Sequence, residues 1–290
     1  MSNRALHFNA ALAATVVGLV TAAHAVDLNT SAVTYMTPDQ FKWTATGPGV
    51  ERALLAGDPD KPGSLYVYIN RFKPGRFGVA HSHPNDRYIT VIEGAGWRGT
   101  GNVVDPLHAA RLPKGSFAID HANKVHWDGT KDETAAYLIA GIGPATSTPM
   151  GKTDAAWNGG DPAALTLLTP DQIQWKDNGN NKTVTLAGDP AKEGGMYVQM
   201  LTWKKGNGSR PHFHPNDRYF LVLDGTWWVG TGTKWDPANL TVPMRAGTFV
   251  THLAKGVHWD GANGPDQDAD CTIIVFGMSP ATNIPAPGIN

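Results

Sequence analysis

The chain has 290 residues, a formal net charge of −1 and only 17% charged residues, with no run of Lys and Arg. That balance gives no footing for nucleic acid, which requires a basic patch or stripe. Apolar residues make up 41%, enough for a sizeable core, while 33 Gly, 21 Pro and 10 Trp point to short strands joined by turns.

The first segment reads as an export signal over residues 1–25. Arg4 supplies a positive start, Ala10 to Val20 an apolar stretch, and Ala23-His24-Ala25 the small-x-small pattern of a cleavage site, so a mature chain would begin at Val26. The apolar stretch falls short of the about 20 residues that cross a bilayer, so the expectation is a secreted or periplasmic protein without a stable membrane anchor. The single cysteine, Cys271, cannot form an internal disulfide, and its Val/Ile/Phe-rich surroundings suggest a buried small hydrophobe.

From residue 37 onward the chain repeats itself. Thr37-Pro38-Asp39-Gln40 returns at Thr169, Leu55-Ala56-Gly57-Asp58-Pro59 at Leu186, His83-Pro84-Asn85-Asp86-Arg87-Tyr88 at His214, and Val125-His126-Trp127-Asp128-Gly129 at Val257. The offset is 131 or 132 in each case. A repeating unit this long is a domain rather than a solenoid turn. The copies are bounded as 34–149 and 166–286, with a Gly/Pro/Thr-rich join from about Pro144 to Pro162.

Within each copy the elements are strands. In chain order, Leu65–Ile69, Tyr88–Ile92 and Tyr137–Ala140 are short β-branched and aromatic runs, followed in the second copy by Met196–Leu201, Tyr219–Leu223 and Thr272–Phe276. Gly94 and Gly225 close the middle run of each copy, and no segment carries a sustained 3.6-residue period. The fold class is all-β, as an antiparallel sandwich or barrel.

Each copy holds a His-x-His pair and a distant third histidine: His81, His83 and His126, then His212, His214 and His258. Residues i and i+2 of a strand face the same way, so each pair offers two imidazoles on one face. A third from another strand completes a facial set of three nitrogens that leaves positions open on a divalent metal ion. The recurrence of the triplet at matched spacing makes the signal specific.

These residues resemble the cupin family in its two-domain form. The first cupin motif is matched by Gly75, His81, His83 and Gly94, and by Gly206, His212, His214 and Gly225; the second by Gly115 and His126, and by Gly247 and His258. The resemblance implies two tandem antiparallel β-barrels (double-stranded β-helix, or jelly roll), each holding a metal. Where the family pattern has a metal-binding glutamate, this chain has Arg87 and Arg218; the Pro and Gly of the second motif are replaced by His121 and Asn123, and by Leu253 and Lys255. Loss of the glutamate argues against the activity of two-domain oxalate decarboxylases. The three-histidine arrangement is similar to that of the dioxygenases that bind iron(II) without a carboxylate. Iron(II) is therefore the favoured ion, with manganese(II), zinc(II) or nickel(II) as alternatives.

Arg87 and Arg218 are the candidate catalytic residues. An inward guanidinium beside a divalent ion requires an anion between them, which a small carboxylate or enolate ligand would supply. The alternatives are an ion pair with Asp128 or Asp260, or a site without metal. Asp86 and Asp217 are expected to cap turns, Tyr88 and Tyr219 to pack outside the barrels, and Trp97, Trp127, Trp228 and Trp259 to line a pocket or fill the core. His121 and His252 are expected on the surface or in loops, and His7, His24 and His108 follow no pattern. Gly99-Thr100-Gly101 and Gly230-Thr231-Gly232 read as hairpin connections. Three functions remain open: a dioxygenase-like enzyme acting on a small anionic compound, a non-catalytic protein that binds or senses a small molecule or metal, or a purely structural or assembly role. Exposed strands would also allow a homodimer.

Overall fold

The computed structural model describes residues 26–152, 156–157 and 159–288, so segment 1–25, which reads as an export signal, lies outside the described residues. The architecture is all-β, interrupted among the described residues only by single-turn 3-10 helices such as Pro38–Gln40 and Pro170–Gln172. Each half of the chain pairs a seven-stranded antiparallel sheet with a five-stranded one.

In the first half the large sheet runs Leu165–Leu168, Phe117–Asp120, Arg87–Glu93, Ala135–Ile142, Leu65–Phe72, Val50–Gly57 and Trp43–Gly47. Its small sheet runs Thr148–Pro149, His81–Ser82, His126–Gly129, Ala95–Thr100 and Ala110–Pro113. The second half repeats this order, with Phe249–His252, Arg218–Asp224 and Cys271–Met278 central to the large sheet and His212–Phe213 and His258–Gly261 in the small one.

Strand alternation sorts the side chains into separate cores. Along Ala135–Ile142, Ala135, Tyr137 and Ile139 point into the first half, joining Tyr66, Tyr68, Ile89 and Val91. The intervening Ala136, Leu138 and Ala140 join Leu221, Phe249, Ile274 and Phe276 of the second half in a shared apolar seam. The second half has its own interior around Trp227, Val229, Val250 and Ile273. Both faces of these central strands are therefore dry, which explains why they read as continuous apolar runs. Burying a Leu or Phe in such a seam contributes about 1.5–3 kcal/mol.

The sequence repeat assigns residues 34–36 to the first copy and residues 166–168 to the second. Backbone pairing exchanges them. Val33–Met36 lies antiparallel to Phe249–His252 of the second half, with Val33 opposite His252. Leu165–Leu168 lies against Phe117–Asp120 of the first half, with Leu165 opposite Asp120. Each exchanged strand covers an edge that would otherwise present unpaired N–H and C=O groups.

Gly99 and Gly230 belong to strands rather than to hairpin connections, and the following Gly101 and Gly232, at φ 90° and 87°, make the turns. A Cβ at Gly99 would fall inside the Trp127 indole, which packs flat across its backbone; Gly230 faces Trp259 in the same way. Both indoles are fully buried, so Trp127 and Trp259 are core residues.

Candidate metal centres

The strands that carry the histidines meet in register. His126 pairs directly with His81, and His212 with His258. Ring centroids in the first set lie 4.6 Å (His81–His83), 4.6 Å (His81–His126) and 5.0 Å (His83–His126) apart. In the second set the separations are 4.8, 4.5 and 4.8 Å. Within each set the potential donor atoms lie within 4.8 Å of one another.

Each of the six imidazoles has its Nδ1 beside a backbone carbonyl. His81 donates to Val79 (2.7 Å), His83 to Thr146 (2.9 Å) and His126 to Lys124 (3.1 Å). His212 donates to Arg210 (2.8 Å), His214 to Thr282 (3.1 Å) and His258 to Gly256 (2.9 Å). A carbonyl can only accept, so this network assigns the proton to Nδ1 and leaves the Nε2 lone pair free. The Nε2 atoms of His258 and His214 then face each other at 3.1 Å, and Nε2 of His126 is buried without a hydrogen-bond partner. Converging lone pairs oriented by carbonyls suit a shared cation, so the residues of both sets fit a divalent metal. Burial, then the nearby Arg87 and His81, lowers the pKa of His83 to about 2. Burial, Arg218 and the neighbouring imidazoles likewise lower His214 to about 2, and burial followed by His212 lowers His258 to about 3. Neutral imidazole is the ligating form.

Arg87 and Arg218 do not pair with Asp128 and Asp260. Nη2 of Arg87 donates to the carbonyls of Ala145 (2.6 Å) and Thr146 (3.2 Å). Arg218 donates to Oδ1 of Asn283 and the carbonyl of Thr282, each at 3.2 Å. These carbonyls belong to the tail of each half, where Thr148–Pro149 and Ile284–Pro285 pair with the His-x-His strands. Thr146 and Thr282 therefore receive one imidazole and one guanidinium apiece, fixing the tail over the site.

The residues across the sheet from the two arginines were not legible as site residues. Arg87 stands opposite Asp120, and Arg218 opposite His252. Asp120 is buried and ion-paired with the buried Arg98, and its Oδ2 lies 3.3 Å from Nε2 of His126. Burial would push this carboxyl up, but the Arg98 guanidinium holds it well below the usual carboxylate range. Arg98 stays charged despite burial because Asp120 and Asp128 both face it, yet its Nε and Nη1 have no protein partner.

The second half differs at both positions, carrying Val229 for Arg98 and His252 for Asp120. His252 is not a surface or loop residue: it ends the strand Phe249–His252, is 1% exposed, and packs against the His258 ring at 3.8 Å between centroids. A surface assignment failed here because a lone imidazole at a strand end carries no periodic signal. Laying the two copies over each other at their offset does reveal the double difference. Asp260 is held by the indoles of Trp203 (3.1 Å) and Trp227 (3.2 Å), and burial raises its pKa.

Other expectations fall into place around these sets. Asp86 and Asp217 accept from the backbone N–H of Ala122 (2.8 Å) and Ala254 (2.7 Å), pinning the turns that lead to the third histidines. Tyr88 and Tyr219 pack on the seam between the halves, outside each interior. His121 is a half-buried loop residue near Oγ1 of Thr166, Trp97 and Trp228 are half-buried, and Cys271 is buried in the second core.

The first set opens into a cavity of about 380 Å³ lined by His81, His83, Arg87, Arg98, Asp120 and Asp128, with Arg52 and Arg76 also contributing. The second opens into about 150 Å³ lined by His212, His214, Arg218, His252, Asp260 and Trp227 among others. A further cavity of about 300 Å³ in the seam is lined by Phe41, Trp43, Ile69 and Leu221 and has no imidazole, so size alone does not mark the site.

The fold and paired histidine sets define a protein of double cupin architecture. No protein-family model matches the chain, and no curated protein matches it in sequence. Among solved structures, it is similar to an oxalate decarboxylase from Lactobacillus farciminis in its formate complex, at 12% identity and TM-score 0.60 over 86% of this chain and 87% of that one. A cupin 2 conserved barrel domain protein from Leptotrichia buccalis aligns at 13% identity and TM-score 0.58, over 87% of this chain and 99% of that one. Protein Ylba from E. coli aligns at 11% and 0.58, over 89% and 95%. At these identities the likeness establishes the cupin fold, and the chemistry rests on the residues themselves.

Proposed function

We propose that the chain is an exported, metal-dependent bicupin whose first half acts as a dioxygenase-like enzyme on a small anionic compound. One observation carries this reading: His81 and His83, which His126 completes as a set of three imidazoles, line a cavity together with a buried guanidinium, Arg98, whose Nε and Nη1 have no protein acceptor. Leaving such donors unpaired costs about 1–3 kcal/mol or more, a cost that a bound carboxylate removes. The lining charges agree, because the guanidiniums of Arg52, Arg76, Arg87 and Arg98 face only two carboxylates, Asp120 and Asp128. A divalent ion would add to that excess, and an anionic ligand would offset it. The similarity to oxalate decarboxylases, proteins named for a small carboxylate, is in keeping with the same class of ligand.

His81, His83 and His126 would hold the ion in the first half, and His212, His214 and His258 in the second. Iron(II) is the favoured ion over manganese(II), zinc(II) or nickel(II); when bound it supplies Lewis acidity and one-electron chemistry. Arg98 would orient the substrate carboxylate through its free Nε–H and Nη1–H. Arg87 would act through position, fixing the tail at Ala145 and Thr146 that bounds the cavity. Asp120 would keep Arg98 in place, and the fully buried His126 and Trp127 would keep water from that wall.

A non-catalytic binding protein is the second reading, favoured by one feature. Among the cavity's groups, His83 at about 2 and the strongly acidic Asp120 are both too weak as bases to abstract a proton near neutrality. Oxygen uptake by the iron(II)-loaded protein across a panel of small carboxylates separates the two. The enzyme reading expects uptake with at least one of them, falling about 100-fold in Arg98→Met with iron content unchanged. Carboxylate binding without uptake would favour the binder, and neither binding nor uptake would overturn the anionic-ligand reading.

A further inference from the structure

Building on the reading that each half holds a divalent ion, we propose that His252 is a fourth nitrogen ligand in the second half. That half then becomes a closed site that retains its metal, while the first stays open to ligand.

His252 is the odd member of the imidazole cluster. The six triplet histidines each satisfy Nδ1 on a carbonyl, but His252 is 1% exposed with neither ring nitrogen hydrogen-bonded. A buried ring with two unpaired polar atoms is costly, and two apolar rings hold it there: Trp227, stacked at 5.2 Å and 26°, and Phe220 at 4.6 Å. Its ring lies 3.8 Å from His258 and 6.1 Å from His214 between centroids, and it lines the same cavity as His212 and His214. The donor atoms of His252, His258 and Asp260 fall within 4.8 Å of one another, a group separate from that of His212, His214 and His258, so ligation by all four imidazoles requires the His252 ring to turn toward the triplet when the ion binds. Asp260 is already engaged by the two indoles, so His252 is the group with free donor capacity.

The first half shows what the same register position does otherwise. There Asp120 faces His126, but its charge is answered by Arg98. In the second half the carboxylate and its arginine are both absent, leaving a neutral donor beside the apolar Val229. A cation kept at that position would repel a metal ion, so replacing both residues together is what a fourth neutral ligand requires. The cavities follow suit, at about 380 Å³ in the first half and about 150 Å³ in the second. Four protein ligands in a confined space describe a structural metal site, and three ligands with open space a reactive one.

The test is zinc release from the full, zinc-loaded protein into excess chromogenic chelator. Two phases of one ion per chain are expected, with the slow phase missing in His258→Ala. His252→Phe, which keeps a ring but no donor, should speed the slow phase by about 10–100-fold and leave the fast phase as an internal control of folding. X-ray absorption of zinc in His126→Ala, where only the second site is filled, should count four imidazoles; a count of three would overturn the proposal without relying on any change at His252. Equal release rates from both halves, or a slow phase indifferent to His252→Phe, would overturn it alone. Failure to hold zinc in either half would instead overturn the underlying metal reading as well.

Discussion

The Arg98–Asp120 pair makes a sharp energetic claim. The two side chains are 1% and 5% exposed, so solvent barely screens their charges. Arg98→Val would leave Asp120 charged in a buried wall beside His126, and Asp120→His would leave the buried guanidinium with only Asp128 to answer its charge. Breaking one side of such a pair costs about 3–5 kcal/mol. The double variant Arg98→Val/Asp120→His recreates the combination that the second half carries as Val229 and His252. It removes both members of the pair and leaves only Asp128 without Arg98, so its loss should fall well short of the sum of the two single losses. The cycle then yields a coupling energy of several kcal/mol, far beyond the about 0.5 kcal/mol scatter of independent sites. Urea unfolding of the metal-free proteins, followed by tryptophan fluorescence, measures all four corners. Single variants that each lose less than 1 kcal/mol, or a double variant that loses the sum of both, would refute the argument.

Two further outcomes follow from the same structure and a third from the sequence. Metal-free protein should lose stability in acid. His83, His214 and His258 titrate at about 2, 2 and 3 when folded, against about 6.5 unfolded, so below about pH 6.5 the unfolded chain binds the extra protons. At pH 5.5 each imidazole then costs about 1.4 kcal/mol relative to neutral pH, and a flat urea midpoint from pH 7 to 5 would contradict this. Gly99→Ala should destabilise by about 1–3 kcal/mol, because its methyl group meets the Trp127 indole; an unchanged melting temperature would be evidence against that packing. If segment 1–25 acts as the proposed export signal, the mature chain begins at Val26 by intact mass, and protein that retains Met1 would contradict it.

Much of this architecture can be read from the chain because two simple signals coincide. The repeat offset sets the two units, and short, continuous apolar runs such as Tyr137–Ala140 set the strands. The triplets are legible for the same reason: His-x-His shares a strand face, and the third histidine lies in a second motif at matched spacing. Strand exchange is not legible, since Val33–Met36 has the same local preference whichever half it pairs with; only the tertiary arrangement chooses. Arg98, Asp120 and His252 escape a motif-based reading because their roles come from cross-strand neighbours. Asp120 lies opposite Arg87 and His252 opposite Arg218, contacts between residues more than thirty positions apart. Their trace in the sequence is a paired mismatch between otherwise matching copies.

The central claim is that each half gathers one cation through its three imidazoles. Elemental analysis of protein loaded with zinc and then desalted tests it directly, in the wild type and in variants with His81, His83 and His126, or His212, His214 and His258, changed to alanine. Two ions per chain in the wild type and one in each triple variant are expected. A wild type that retains none, or triple variants that retain as much as the wild type, would contradict it.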